Sequence, residues 1–188
     1  MNKMIVRSVC FFLVWCGFSL SAELQSKIEI RSDAFFPSSH LFRKLYGNVG
    51  GNYQVEGTAK IKDCLDAWAN FDCFWKHGKG NRSGKTHARI SNVGLGVKLL
   101  CPVFECFDVY IGLGATLAKM TLKNESRCVK ARKSKLVVGG VLKSGIYIFV
   151  SRQVFIDLFA DYVYQPIHYE KHANIGGFKT GAGIGIRF

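Results

Sequence analysis

The sequence predicts an all-β fold, an eight-stranded antiparallel up-and-down transmembrane β-barrel. Apolar and polar residues alternate with a period of two in eight segments, which is typical of strands with two unlike faces. The segment 176–188 is an example: Ile184 and Ile186 share one face, and glycines and basic residues share the other. Connections between the segments alternate long and short, as in a barrel with both chain ends in the periplasm.

Residues 1–22 are predicted to be a secretory signal peptide. Lys3 and Arg7 precede an apolar run, 9–20, that is too short to cross a bilayer comfortably as a helix. Small residues follow it at Ser21 and Ala22, where cleavage is expected. Residues 23–188 are therefore predicted to form the barrel.

The first strand is predicted over 24–34, and a short helix is predicted after it from the spacing of Leu41, Phe42 and Leu45. The later strands are predicted at 53–61, 65–75, 92–99, 107–117, 136–150, 154–165 and 176–188. The long connections that join them, predicted as outward-facing loops, are 35–51, 76–86, 119–135 and 166–173. The short turns are expected to face the periplasm.

The apolar face of each strand is expected to point outward and the polar face into the lumen. The polar face holds most of the strand glycines, which suit the crowded interior of an eight-stranded barrel. Its charges nearly balance, and buried charges must be paired. The predicted lumen charge network comprises Glu29, Arg31, Asp33, Glu56, Lys60, Asp66, Asp72, Lys98, Asp108, Lys143, Asp157, Asp161, Lys179 and Arg187.

With these features, residues 23–188 resemble the small bacterial outer-membrane barrels of the OmpA and OmpX type. The resemblance rests on the strand count, the rhythm of the connections and the final GAGIGIRF with its terminal aromatic residue. It implies a packed polar interior without an open pore, export to the outer membrane and contact with its lipids. It also implies an assembly signal, read by the barrel-assembly machinery, in Phe178, Ile184, Ile186 and Phe188.

The excess positive charge, formally +13 for the whole chain, lies mainly in the long connections. The predicted role is structural or one of surface interaction through these connections. Phosphates of lipopolysaccharide or anionic host glycans are the ligands that such a surface would bind, and a rim that only solubilises the barrel is the competing interpretation. Nucleic acid is not an expected partner, because export confines these segments to the cell envelope. The predicted anion-binding residues are Arg43, Lys44, Lys79, Arg82, Lys85, Lys130, Arg132 and Lys133.

No cofactor or metal is predicted, and catalysis is the minority hypothesis. The stretch GKGNRSGKT has Lys79 where a phosphate-binding loop needs glycine, and it lacks the strand–loop–helix setting. His168, Glu170 and His172 could suit base chemistry or a weak metal site, as in a lipid A-modifying barrel enzyme, but no nucleophile stands out beside them. A minimal channel is a third hypothesis, although aromatic residues on the polar face, such as Trp68 and Phe155, are expected to block it.

Five cysteines follow the predicted signal peptide. Cys101 and Cys106 flank one predicted periplasmic turn and could form a disulfide across it. Free thiols are one alternative, and disulfide bonds to neighbouring envelope proteins are another.

Overall fold

A computed structural model describes residues 26–79, 85–104, 106–126, 129–168 and 172–188. The predicted signal peptide, 1–22, lies outside the described residues. Within them, no helix is both long and apolar enough to cross a membrane. The elements are β1 (Ser26–Pro37), α1 (His40–Tyr46), β2 (Gly50–Lys62), β3 (Leu65–Lys79), β4 (Lys85–Phe104), β5 (Phe107–Ser126), β6 (Val129–Phe149), β7 (Val154–Tyr164), β8 (Pro166–His168), β9 (His172–Asn174) and β10 (Gly177–Arg187).

Eight of these strands form a closed antiparallel barrel, in the order β1, β10, β7, β6, β5, β4, β3, β2. The barrel closes where β10 pairs with β1, with Ile184 opposite Ile30 and Phe178 opposite Phe36. The predicted eight-stranded up-and-down barrel is therefore confirmed. We call the end with the long hairpins and α1 the outer end, and the end with the short turns the inner end.

The burial of side chains alternates along the barrel strands. On β7, Phe155 and Asp157 are buried while Ile156 and Leu158 are exposed. Leu95 and Leu113, on β4 and β5, are each 63% exposed. Exposed apolar side chains thus form a band around the outside of the barrel, and polar side chains fill its interior. This is the arrangement of a barrel that spans a membrane.

The lumen is crowded where glycines face aromatic rings. A Cβ atom on Gly114 would overlap the Trp68 ring, and one on Gly145 would overlap the Tyr110 hydroxyl. Glycine at these positions lets the rings cross the interior, which an eight-stranded barrel leaves just wide enough for side chains.

The short helix α1 lies where the sequence predicts it. The Ser39 hydroxyl caps its first turn by accepting a hydrogen bond from the Phe42 amide, at 3.4 Å. The helix ends at Gly47, whose φ of 87° suits glycine. The cap directs Phe42 into an apolar cluster with Phe35 and Phe74 at the outer end of the lumen.

The prediction of loops at 76–86 and 119–135 is wrong for most of their length. β3 continues to Lys79, β4 begins at Lys85, β5 continues to Ser126 and β6 begins at Val129. In the longer segment the faces are exchanged: Lys119 and Lys123 have the outward parity while Met120 and Leu122 have the inward parity, so the apolar outward face of the membrane strands does not continue there. Backbone pairing continues there because it does not require an apolar face. In addition, the predicted loop at 166–173 contains most of the β8–β9 hairpin.

Candidate functional site

The centre of the lumen is organised around Arg31, which is fully buried. Its guanidinium lies 2.5 Å from Asp157 and 3.1 Å from Glu29. Asp161 and Glu56 lie 3.5 Å from it on the other side. Tyr110 accepts a hydrogen bond from the same guanidinium at 2.8 Å. One cation therefore ties together carboxylates from β1, β2 and β7, across the width of the barrel.

Two lysines complete this central network. Lys143 lies 2.7 Å from Glu56 and 3.2 Å from Asp161. Lys98 contacts Glu56 as well and donates a hydrogen bond to the Tyr147 hydroxyl at 2.7 Å. Both lysines are fully buried, so the three cations and four carboxylates compensate each other's charge away from bulk solvent.

A second polar cluster lies nearer the outer end. Lys179 lies 2.9 Å from Asp72, and the Asn92 amide donates to the same carboxylate at 3.1 Å. Asn52 donates to Asp33 at 2.8 Å. The cluster borders a small cavity of about 20 Å³, which has room for one or two water molecules.

Apolar side chains close the outer end above this cluster. Phe42 of α1 packs with Phe35 and Phe74, and Phe74 stacks edge-on against Phe35 with ring centroids 5.2 Å apart. Beside them, Ile167 and Ile175 from the β8–β9 region pack on Val137. We call these two clusters the outer plug. The outer plug and the central charge network are thus both made of buried side chains.

Three of the predicted lumen charges lie at the inner end and outside the connected network. Lys60 lies 3.9 Å from Asp63, and both are solvent-exposed. Arg187 donates to the Arg152 carbonyl and covers the Phe149 ring. Asp108 is only partly buried. These positions are close to the strand ends, where the barrel opens to water. The other predicted lumen charges are all buried, namely Glu29, Arg31, Asp33, Glu56, Asp66, Asp72, Lys98, Lys143, Asp157, Asp161 and Lys179.

The sequence reasoning missed two kinds of network member. Tyr110 and Tyr147 supply hydroxyls to the central network, and they share the inward parity of the charged residues. Lys27 pairs with Asp66 at 2.9 Å near the inner end, and its position on β1 has the inward parity of Glu29 and Arg31. Parity predicts that all three are lumen residues, and the sequence does place the two tyrosines there, but parity does not reveal which charges their polar groups meet.

The register of β3 to β6 brings basic residues together on the outward side of the barrel. His77 lies opposite His87, His87 opposite Lys123, and Lys123 opposite Arg132. The next row outward contains Lys79, Lys85, Glu125 and Lys130. Arg89 and Lys119 follow toward the apolar band and are exposed. We call this surface the outer basic face; it comprises His77, Lys79, Lys85, His87, Arg89, Lys119, Lys123, Glu125, Lys130 and Arg132.

This face contains only part of the predicted anion-binding set. Lys79, Lys85, Lys130 and Arg132 belong to it. Lys133 lies opposite Leu122 and falls on the other side of the sheet. Arg43 and Lys44 are exposed on α1, and Arg82 lies outside the described residues. The prediction omitted Lys119, at the start of the predicted loop 119–135, and Arg89, which lies between the predicted loop 76–86 and the predicted strand 92–99.

The four residues of the predicted assembly signal all face outward. Phe178, Ile184, Ile186 and Phe188 are between 43% and 65% exposed. Their role in assembly stays a prediction. Cys101 and Cys106 are exposed free thiols in the structure, so the disulfide considered between them is not formed here. β4 and β5 pair between them, with Cys101 opposite Val109, three residues beyond Cys106.

Comparisons with known proteins agree on the architecture. No protein-family model matches the chain. A curated relative, the 56 kDa type-specific antigen of Orientia tsutsugamushi, is 30% identical over 115 residues, which cover 60% of this chain. The match covers only 21% of that relative's length.

Several solved structures share the fold across nearly the whole chain. Ail of Yersinia pestis, crystallised with the heparin analogue sucrose octasulfate, matches with a TM-score of 0.61 at 14% identity, covering 89% of this chain and 100% of Ail. Neisserial surface protein A matches with 0.61 at 15% identity, covering 89% and 98%. OprG of Pseudomonas aeruginosa matches with 0.66 at 14% identity, covering 87% and 95%. At such identities the likeness establishes the fold.

Proposed function

We propose that this chain, which has the fold of the small outer-membrane β-barrels, binds an anionic partner at the cell surface and does not conduct solutes. One observation carries the proposal: the strand register collects seven lysines and arginines, with one glutamate, on one face of four adjacent strands. An apolar band encircles the barrel below this face, so the barrel lies in the outer membrane with the face beyond it.

The spacing of the outer basic face suits a ligand with repeated anionic groups. Neighbouring strands lie about 4.8 Å apart, and alternate residues of a strand lie about 6.8 Å apart. Cations at such spacing repel each other unless anions lie between them. Phosphate and sulfate groups accept charge-assisted hydrogen bonds from lysine and arginine. The partner class is therefore a phosphorylated or sulfated glycan, either on a membrane glycolipid or on a host surface.

The fold comparison supports a sulfated ligand. Ail, which has the same barrel architecture, was crystallised with a heparin analogue. That complex demonstrates that a barrel of this shape can hold a highly sulfated sugar. The basic face described above supplies the corresponding chemistry in this chain.

A charge-reversal experiment tests the proposal. The refolded barrel in nanodiscs is titrated with heparin and, separately, with lipopolysaccharide. Arg89→Glu combined with Lys119→Glu is expected to weaken binding at least tenfold, because both residues are exposed on the face. Arg43→Glu combined with Lys44→Glu makes the same charge change on α1 and is expected to weaken it less than threefold. Equal losses in both variants would contradict the proposed face, and the two titrations distinguish the source of the glycan.

The outer plug and the central network support the absence of a conducting path. Phe42 and its neighbours cover the outer end, and the buried ion pairs around Arg31 fill the middle. The purified barrel is expected to produce no steady single-channel steps in planar bilayers. Reproducible steps of constant amplitude would refute this part of the proposal.

A non-catalytic role follows from the same assignment. Lipid A isolated from cells with and without the protein is expected to have the same acyl-chain masses. A shifted acyl pattern would instead favour the lipid A-modifying enzyme.

A further inference from the structure

The histidines of this chain are arranged in a way that the sequence alone does not reveal. The chain has five histidines, and four of them form two directly opposed pairs. His77 of β3 lies opposite His87 of β4, and His168 of β8 lies opposite His172 of β9. The first pair continues into basic residues, since Lys123 and Arg132 follow it across β5 and β6. We call His77, His87, Lys123 and Arg132 the histidine row.

The histidine row combines two permanent cations with two titratable ones. Free imidazole gains its proton near pH 6.5, whereas lysine and arginine remain charged. Directly opposite residues on antiparallel strands have Cβ atoms about 4.5–5.5 Å apart. Two imidazolium groups at that separation repel each other and the neighbouring cations. An anion bound across the row would remove this repulsion, so anion binding and protonation must favour each other.

We propose that the histidine row is a sulfate- or phosphate-binding site whose affinity rises as the pH falls from 7.5 to 5.5. The inference rests on the proposed function, because it assigns a regulated subsite within the outer basic face. Its regulation comes from the charge of the row, which doubles when both histidines are protonated. The ligand class is the same phosphorylated or sulfated glycan.

The surroundings of the row are predominantly basic. Glu125 is the one acid among the described charged residues on this surface. The other charged or titratable residues on the packed elements are Lys76, Lys79, Lys85, Arg89, Lys119, Lys130, Lys133 and Lys135 on β3 to β6, His40, Arg43 and Lys44 on α1, and His168 and His172 on β8 and β9.

The second histidine pair provides a matched control. The other residues of its hairpin in the described part of the chain are Pro166 opposite Asn174 and Ile167 opposite Ala173. It has the same cross-strand register, and no lysine or arginine is paired beside it within the described residues of the hairpin. Substituting this pair therefore removes two histidines from the chain while leaving the proposed site intact.

The experiment measures heparin affinity between pH 5.5 and 7.5 at constant ionic strength, with the whole barrel in nanodiscs. Sulfate esters remain ionised over this range, so any change in affinity comes from the protein. For the unmodified barrel we expect binding on the order of tenfold tighter at pH 5.5. His77→Gln with His87→Gln is expected to reduce that change to less than about twofold, while His168→Gln with His172→Gln preserves it.

A second variant tests the charge itself. His77→Lys with His87→Lys makes the row permanently cationic, so its affinity at pH 7.5 is expected to equal that of the unmodified barrel at pH 5.5. The inference is overturned if the His77/His87 glutamine variant keeps the full pH response, or if the His168/His172 variant loses it. It is also overturned if the unmodified barrel binds heparin equally at both pH values, a result that leaves the proposed function standing. Absence of heparin binding at any pH would refute both.

Discussion

Replacing Arg31 by methionine is expected to destabilise the barrel by about 4 kcal/mol. The guanidinium is fully buried and lies within 3.5 Å of Glu29, Glu56, Asp157 and Asp161. Removing one partner of a buried ion pair costs about 3–5 kcal/mol, because the remaining charges lose their compensation. Methionine retains much of the apolar stem, so lost packing contributes little. The cost arises from four carboxylates that would face only Lys98 and Lys143.

The matched control is Lys60→Met, which removes the same formal charge at the inner end. Lys60 is 36% exposed and its acidic neighbour Asp63 is 96% exposed, at a separation of 3.9 Å. A pair that water screens this well contributes about 0–1 kcal/mol. Urea unfolding of the barrel in lipid vesicles, followed by tryptophan fluorescence and by the gel mobility of unboiled samples, compares the two variants.

A double-mutant cycle separates charge from packing. Asp157→Asn is expected to restore about 1–3 kcal/mol in the Arg31→Met background, because Asp157 makes the shortest contact with Arg31 and would otherwise remain uncompensated. The reasoning is refuted if Arg31→Met and Lys60→Met cost the same, or if Asp157→Asn destabilises both backgrounds equally.

Three further predictions concern the faces of the barrel. Ile184→Lys puts a charge at a 59% exposed position of the lipid-facing band, and unfolding in vesicles should report a loss of about 2–4 kcal/mol in the free energy of unfolding. An unchanged free energy of unfolding would contradict the assignment of Ile184 to the lipid-facing side. Gly114→Val should lower the free energy of unfolding by about 1–3 kcal/mol, because the added side chain overlaps Trp68. Adding Trp68→Leu should recover part of this loss, and lack of recovery would exclude that contact as the cause. Three exposed free thiols lie at the inner end, Cys64, Cys101 and Cys106. With the two remaining cysteines of the barrel sequence replaced by serine (Cys73→Ser and Cys128→Ser), a membrane-impermeant maleimide should label the protein only after the outer membrane is permeabilised, and labelling of intact cells would reverse the assigned orientation.

Hydrophobic alternation was sufficient to predict the barrel because each strand in the membrane has one side in lipid and the other side in the polar lumen. Ile156 meets lipid and Asp157 meets the lumen, so their order in the sequence records their directions. The same reasoning failed beyond the membrane. In the β5–β6 hairpin there, Lys119 and Lys123 have the outward parity and Met120 and Leu122 the inward parity, so a pattern that requires an apolar outward face does not recognise the strand.

The contacts within the candidate sites could not be predicted from the sequence, for a different reason. Parity predicts that Arg31 and Glu56 share the lumen, but which charges meet depends on the relative shift of the strands around the barrel. The histidine row depends on the same shift, since one residue of slip between β3 and β4 would separate His77 from His87. Lys60, Asp108 and Arg187 have the parity of lumen residues, and only the positions of the strand ends reveal that they lie at the inner mouth.

The long strands also make the barrel rim uneven. β5 is 20 residues long and β10 only 11, a difference equivalent to about 30 Å of strand and, at the usual tilt, somewhat over 20 Å of height. One side of the mouth is therefore bounded by a tall wall, while the opposite side is low. A bulky macromolecule such as an antibody can approach the helix and the plug only over the low side, whereas a thin, flexible sugar chain can lie lengthwise along the wall.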